Sequence, residues 1–238
     1  KMFVEEVQEN PGLLARILHG AHPGVRYRIK NPEHFSSLVR GVVDYHEPAK
    51  ENFPATTEET VHVPMSGEQQ KYYNFVMQKA GPALRYKIRK GLPPSKREAE
   101  QLNAFLTGAR QASNSIRAFG GEGVTPKIER AVTALSEMHK KDPNFRGLVY
   151  SNYLDAGVKE YAKRLEKEGV SHGIYDGSLS DKKRKEMVDA YNTGKIKTLL
   201  ISGAGAQGLD LKGTKLVQLL ESHFNSARLE QAAGRAVR

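Results

Sequence analysis

The second half of the chain predicts an α/β fold built on a parallel sheet, and the first half predicts a largely helical extension. Two observations carry this expectation. Beyond residue 125, short apolar runs alternate with amphipathic helical stretches across short links, the pattern of a parallel sheet covered by helices. A glycine-rich break, Phe119-Gly120-Gly121-Glu122-Gly123, separates that region from what precedes it. Three regions follow: a connector or arm over 1–56, a stretch with a basic helical insertion over 57–124, and an α/β lobe over 125–238.

The elements of the lobe are legible in order. Thr125 is a plausible N-cap with Pro126 at the first helical position, and Ile128, Val132, Leu135 and Met138 recur on one face. Leu148-Val149-Tyr150-Ser151 reads as a short buried strand. A helix then carries Val158, Tyr161, Ala162 and Leu165, closed by Gly169. The next strand is expected over 170–175, followed by the turn Asp176-Gly177-Ser178. Ser178 or Ser180 can cap a helix reaching Asn192, stopped by Gly194. Strands over 196–202 and 215–220 and a last helix from Ser226 complete the lobe.

The first half is less orderly. One amphipathic run around Leu13, Leu14, Ile17 and Leu18 lies among proline and glycine punctuation, giving a helical connector and an extended arm. Residues 57–65 alternate as a strand with Val61 and Val63 on one face, Glu68 to Met77 read as a helix, and 102–119 as another, buried through Leu102, Phe105, Leu106 and Ala109.

Composition bounds the function. Among 238 residues there is no cysteine, which excludes disulfides, thiolate metal sites and cysteine nucleophiles and fits an intracellular, reducing setting. The eight histidines are scattered without a helical His-x-x-x-His pair, so no metal site is expected. No apolar run reaches the length of a membrane span. The net charge of +10 favours an anionic partner, nucleic acid first. From Lys79 to Arg97 the chain holds Lys79, Arg85, Lys87, Arg89, Lys90, Lys96 and Arg97 with no acid, either a solvated face or a patch that tracks phosphates.

Residues 203–208, Gly-Ala-Gly-Ala-Gln-Gly, follow an apolar run and look like a dinucleotide fingerprint. That fingerprint needs a crossover helix of about ten or more residues before the next strand. Only residues 209–215 stand between Gly208 and Leu216, so a nicotinamide-dependent oxidoreductase is the weaker reading. Further on, Gln231, Arg235 and Arg238 stand at i, i+4 and i+7 and project from one helical face. Two neighbouring guanidiniums need carboxylates or an anion opposite, and their planar forks suit phosphate oxygens.

Five blocks in order make the stretch from Thr125 to Arg238 resemble the second RecA-like lobe of superfamily-two helicases, most closely the Swi/Snf-type DNA translocases. They are Leu148 to Tyr153, Tyr175 to Ser180 with Lys182-Lys183-Arg184, Ser202 to Leu211, Glu221 to Asn225, and Gln231 to Arg238 in the form Gln-x-x-Gly-Arg-x-x-Arg. Residues 40–59 and 65–73 resemble the segment joining the two lobes of that family.

The resemblance implies the C-terminal lobe of an ATP-dependent DNA helicase or translocase. Arg238 and Arg235 would then be catalytic, reaching the γ-phosphate of ATP, with Gln231, Gly208 and Asp210 on the nucleotide. Ser151, Asn152, Gly177, Ser178 and Ser202 would contact the sugar-phosphate backbone of duplex DNA irrespective of base sequence, and Lys87, Arg89 and Lys90 would extend that track. No Gly-x-x-x-x-Gly-Lys-Ser/Thr and no Asp-Glu box occur, so the phosphate loop and Mg²⁺ would belong to a first lobe in a longer protein. The alternative on the same fold is a nucleic-acid-binding module without a motor.

Overall fold

A computed structural model describes residues 2–43, 55–123, 125–203 and 209–221. These fall into two compact units, one formed by 2–43 and 74–109, the other by 55–73, 110–123, 125–203 and 209–221.

In the first unit β1 (Val4–Glu9) pairs antiparallel with β2 (Gly24–Ile29), Val4 opposite Ile29 and Glu9 opposite Gly24. Helix α1 (Leu13–His19) joins them, and α2 (Pro32–Val39) follows. The sequence reading of a helical connector and an extended arm did not anticipate these two strands. Val25, Tyr27 and Ile29 alternate with Arg26 and Arg28, a period-two pattern of β-forming residues obscured by the surrounding Pro and Gly. Helix α4 (Pro82–Lys90) begins with Pro at its first turn and ends on Gly91 at φ +65°.

Helix α5 (Lys96–Asn114) starts six residues before the expected Leu102. Its start is held by Glu98, whose Oε2 accepts from Ser95 N at 2.8 Å and from Ser95 Oγ at 2.7 Å. The expected strand over 57–65 does not form. Residues 55–66 hold no regular structure and Val61 is exposed, because an alternating segment without a neighbour has no ladder to join.

Helix α3 (Gly67–Lys79) is capped reciprocally: Ser66 N donates to Gln69 Oε1 and Gln69 N to Ser66 Oγ, each at 3.2 Å. The other end of the Gln69 amide donates to the carbonyls of Ala112, Ser113 and Asn114 at 3.2 to 3.5 Å. One buried carboxamide therefore closes the start of α3 and the end of α5.

The lobe is a mixed α/β structure on a four-stranded parallel sheet, in the order β4-β5-β3-β6. Its strands are β3 (Gly147–Ser151), β4 (His172–Tyr175), β5 (Thr198–Ser202) and β6 (Leu216–Leu219). Every residue of β3 and β5 is buried, as expected for strands covered on both faces. Val149 and Leu200 face one layer with Ile128, Val132 and Leu135 of α6 (Pro126–Lys141) and Tyr161 and Leu165 of α7 (Glu160–Lys167). Leu148, Tyr150, Leu199 and Ile201 face the other layer with Tyr191 of α8 (Asp181–Asn192).

Met138 is exposed rather than buried. At 3.6 residues per turn it lies roughly 80° off the line through Ile128, and His139 takes the face instead, edge-on to Phe145 and 3.1 Å from Thr198 Oγ1. Ser180, not Ser178, caps α8, and Gly169 and Gly194 end their helices with φ of +69° and +77°.

Gln69→Ala leaves the Ser66 N–H and three α5 carbonyls without their side-chain partner. It should lower unfolding free energy by about 2–3 kcal/mol, read from the urea midpoint of the chain. An unchanged midpoint would show that water replaces the side chain.

Candidate nucleic-acid and nucleotide edge

The strands of a parallel sheet all end on one edge, and in open α/β sheets that carboxyl edge is where ligands bind. Here it gathers Ser151 to Tyr153 after β3, Asp176 to Ser178 after β4, Ser202 and Gly203 after β5, and Leu220 and Glu221 after β6. The register makes the gathering exact to one residue, since Ser151 stands opposite Ser202 and Tyr150 opposite Leu219.

Glu221 is the most constrained group on this edge. Its carboxylate is 5% exposed and accepts from Ser151 Oγ at 2.7 Å, from Asn152 N at 2.9 Å and from Asn114 Nδ2. Ser151, expected as a backbone contact, is instead fully buried. Its hydroxyl donates to Glu221 while its oxygen accepts from Tyr153 N at 3.1 Å. Ser202 is likewise buried, and Asn152 is half-buried. Beside them the Lys127 ammonium donates to Leu220 O at 3.0 Å and Ser113 Oγ at 3.1 Å. Burial holds the Lys127 pKa below the ordinary lysine value, against the pull of the Glu221 charge.

Gly177 and Ser178 are exposed at the tip of the next turn. Asp176 Oδ1 accepts from Ser178 N at 2.9 Å and from Ser178 Oγ at 2.6 Å, an Asx turn. The hydrogen bond from Ser178 Oγ holds the Asp176 carboxyl below the ordinary aspartate value. Arg184 of α8 donates to Gly177 O at 3.2 Å and its guanidinium sits 5.9 Å from the Tyr175 ring centre. The turn thus has a fixed shape, its exposed tip beside the basic start of α8.

Asp210 is exposed, and its carbonyl accepts from Asn192 Nδ2 at 3.0 Å. Asn192 Oδ1 in turn accepts from Lys212 N at 2.8 Å, so the end of α8 holds the segment after the glycine loop. Residues 203 and 209–215 hold no helix, which leaves the dinucleotide reading without its crossover. Gly208, Gln231, Arg235 and Arg238 lie outside the described residues. Among the described residues no group of three or more His, Asp or Glu could hold a metal ion, and no helix is long and apolar enough to cross a membrane.

In the first unit Arg89 and Lys90 are exposed on the last turn of α4. Lys87, expected beside them, is instead 1% exposed and salt-bridged to Glu98 at 2.5 Å. The helix turns that position inward, and the carboxylate that holds the start of α5 receives it. Asn114, Lys127 and Gln69 escaped sequence reasoning because each acts across a long separation with no local pattern; the acid ending β6 was the one visible signal.

Because the Asp176 pKa is depressed in the folded protein, the turn keeps its hydrogen bonds above the ordinary aspartate value of 3.8 and loses them as pH falls through the lower folded value. The Ser178 amide proton, followed by NMR from neutral to acid pH, should titrate with a midpoint below 3.8. A midpoint at or above that value would mean that the turn does not hold the carboxylate.

Residues 127–238 match the model of the helicase conserved C-terminal domain. A protein of Acanthamoeba polyphaga mimivirus named "Putative ATP-dependent RNA helicase" is 37% identical over 153 residues, covering 64% of this chain and 32% of its own length. A Schizosaccharomyces pombe protein named as an uncharacterized ATP-dependent helicase is 32% identical over 114 residues, 47% of this chain and 11% of that protein. The chain therefore spans about a third or less of these relatives. Among solved structures, the C-terminal domain of the Sulfolobus solfataricus SWI2/SNF2 ATPase superposes with a TM-score of 0.54 at 18% identity, covering 68% of this chain and 70% of that one. The C-terminal part of the Fun30 ATPase domain gives 0.54 at 16% identity, covering 74% and 78%. Residues 127–238 thus match the helicase conserved C-terminal domain, and the parallel four-stranded sheet has the fold of the C-terminal domains of these two ATPases.

Proposed function

We propose that this chain is the C-terminal lobe of an ATP-dependent helicase or translocase that tracks duplex DNA, working with a first RecA-like lobe that supplies the phosphate loop and holds Mg²⁺. The observation that carries this reading is the carboxyl edge itself. It presents a shaped turn at Gly177 and Ser178 and a fixed Asn152, while β6 on the same edge leads directly into the segment bearing Gln231, Arg235 and Arg238. A nucleic-acid surface and a nucleotide surface would then share one rigid sheet, the arrangement a motor needs to turn hydrolysis into movement.

In this reading Arg238, with Arg235 beside it, faces the γ-phosphate of ATP held mainly by the first lobe. Gln231, Gly208 and Asp210 complete the near side of the cleft. The exposed turn at Gly177 and Ser178 lies against the sugar-phosphate backbone, and Arg89 and Lys90 add exposed cationic contacts. Such contacts position a strand without reading its bases. Duplex DNA is favoured by the Swi/Snf-like blocks of the sequence. RNA is the second reading, favoured by the name of the mimivirus relative.

Arg238→Ala in the intact protein should lower ATP hydrolysis by about 10³–10⁵-fold, the usual contribution of an arginine finger. Unchanged hydrolysis would remove Arg238 from that role. The 238-residue chain alone should bind labelled duplex DNA weakly, with affinity falling steeply between 50 and about 200 mM salt, and hydrolyse no ATP. Tighter binding to an RNA duplex of matched sequence would select the RNA reading, and turnover by the chain alone would contradict the shared site.

A further inference from the structure

Asn152 lies half-buried at the end of β3 with its carboxamide held at both ends. Its Oδ1 accepts from Tyr150 Oη at 3.0 Å, and its Nδ2 donates one hydrogen toward Glu221 Oε2 at 3.5 Å, the oxygen that also takes Asn152 N at 2.9 Å. A carboxylate only accepts, so Glu221 dictates which end of the amide faces it. The second Nδ2 hydrogen meets no acceptor among the described residues. Gly203 stands alongside, where a Cβ would come within 3.4 Å of Asn152 Oδ1.

The other carboxylate oxygen is anchored away from this site. Glu221 Oε1 takes Ser151 Oγ and Asn114 Nδ2, both from fully buried residues. Glu221 is therefore fixed at one oxygen by the body of the lobe and acts at the other on Asn152.

We infer that Glu221 is a positioning residue that aims the Asn152 amide outward as a donor to a backbone phosphate oxygen of nucleic acid. This rests on the proposed nucleic-acid reading. Reach, rather than charge, decides the effect. Asp at 221 is one methylene shorter and cannot span from Ser151 to Asn152. Gln keeps the length and an oxygen toward Asn152. Its amino group would face Ser151 Oγ, which can accept, and Asn114, whose buried Oδ1 has no partner among the described residues and can turn to receive it.

The test is a double-mutant cycle on the 238-residue chain, titrated by fluorescence anisotropy against a labelled duplex DNA and its RNA counterpart, with melting recorded for each variant. Glu221→Gln should stay within about threefold of the wild-type affinity, and Glu221→Asp and Asn152→Ala should each weaken binding by about tenfold. Adding Glu221→Asp to Asn152→Ala should weaken it no further. An equal loss from Glu221→Asp in both backgrounds overturns the inference, and so does a Glu221→Gln protein as weak as Glu221→Asp. A folded wild-type chain that binds neither duplex overturns the nucleic-acid reading itself.

A second measurement needs no altered protein. In the wild-type NMR spectrum the Asn152 side-chain proton facing Glu221 should exchange slowly, and the other should shift when duplex is added. Equal shifts of both protons overturn the inference even if Glu221→Asp fails to fold.

Discussion

The parallel register of β3 between β5 and β6 is the constraint on which the rest of the lobe depends. Each residue of β3 is buried and paired on both sides except at its end, where Ser151 faces Ser202 alone and the strand beside it has already become Leu220 and Glu221. A slip of one residue would exchange the two faces of the sheet, sending Val149 to the layer of Tyr191 and Tyr150 to that of Leu165. It would also carry Ser151 and Asn152 away from the carboxylate that closes the edge. Core packing and site geometry are thus set by the same pairing.

From that pairing the polar edge follows. A buried carboxylate is tolerated only when its oxygens are met by donors, and Ser151, Asn152 and Asn114 meet those of Glu221. Lys127 approaches the same pocket and ties the last carbonyl of the β6 end to Ser113. The end of α5 is in turn held by Gln69. These hydrogen bonds tie the ends of β3, β6 and α5 to one another.

Much of the lobe was legible in the sequence because its signals are local. Apolar runs of four to seven residues marked the strands, Ser180 and Pro126 marked helix starts, and Gly169 and Gly194 marked ends. Met138 failed by one position because a spacing of ten drifts off a helical stripe, and residues 57–65 failed because alternation alone does not supply a neighbouring strand. β1 and β2 were missed since a short antiparallel pair is decided by its cross-strand partners. The site was legible in outline only. The turn at Asp176 to Ser178 announced itself, whereas burial of Ser151 and Lys87 depends on Glu221 and Glu98, partners that no spacing within either motif reveals.

On the proposed function the carboxyl edge, and not another face of the lobe, receives nucleic acid. Hydrogen–deuterium exchange of the 238-residue chain with and without saturating duplex measures it most directly. Protection is predicted for the amides of 151–153, 176–178 and 202–203, with the amino-edge segments 143–146 and 212–215 unchanged. Protection concentrated at the amino edge, with 176–178 unaffected, would contradict it.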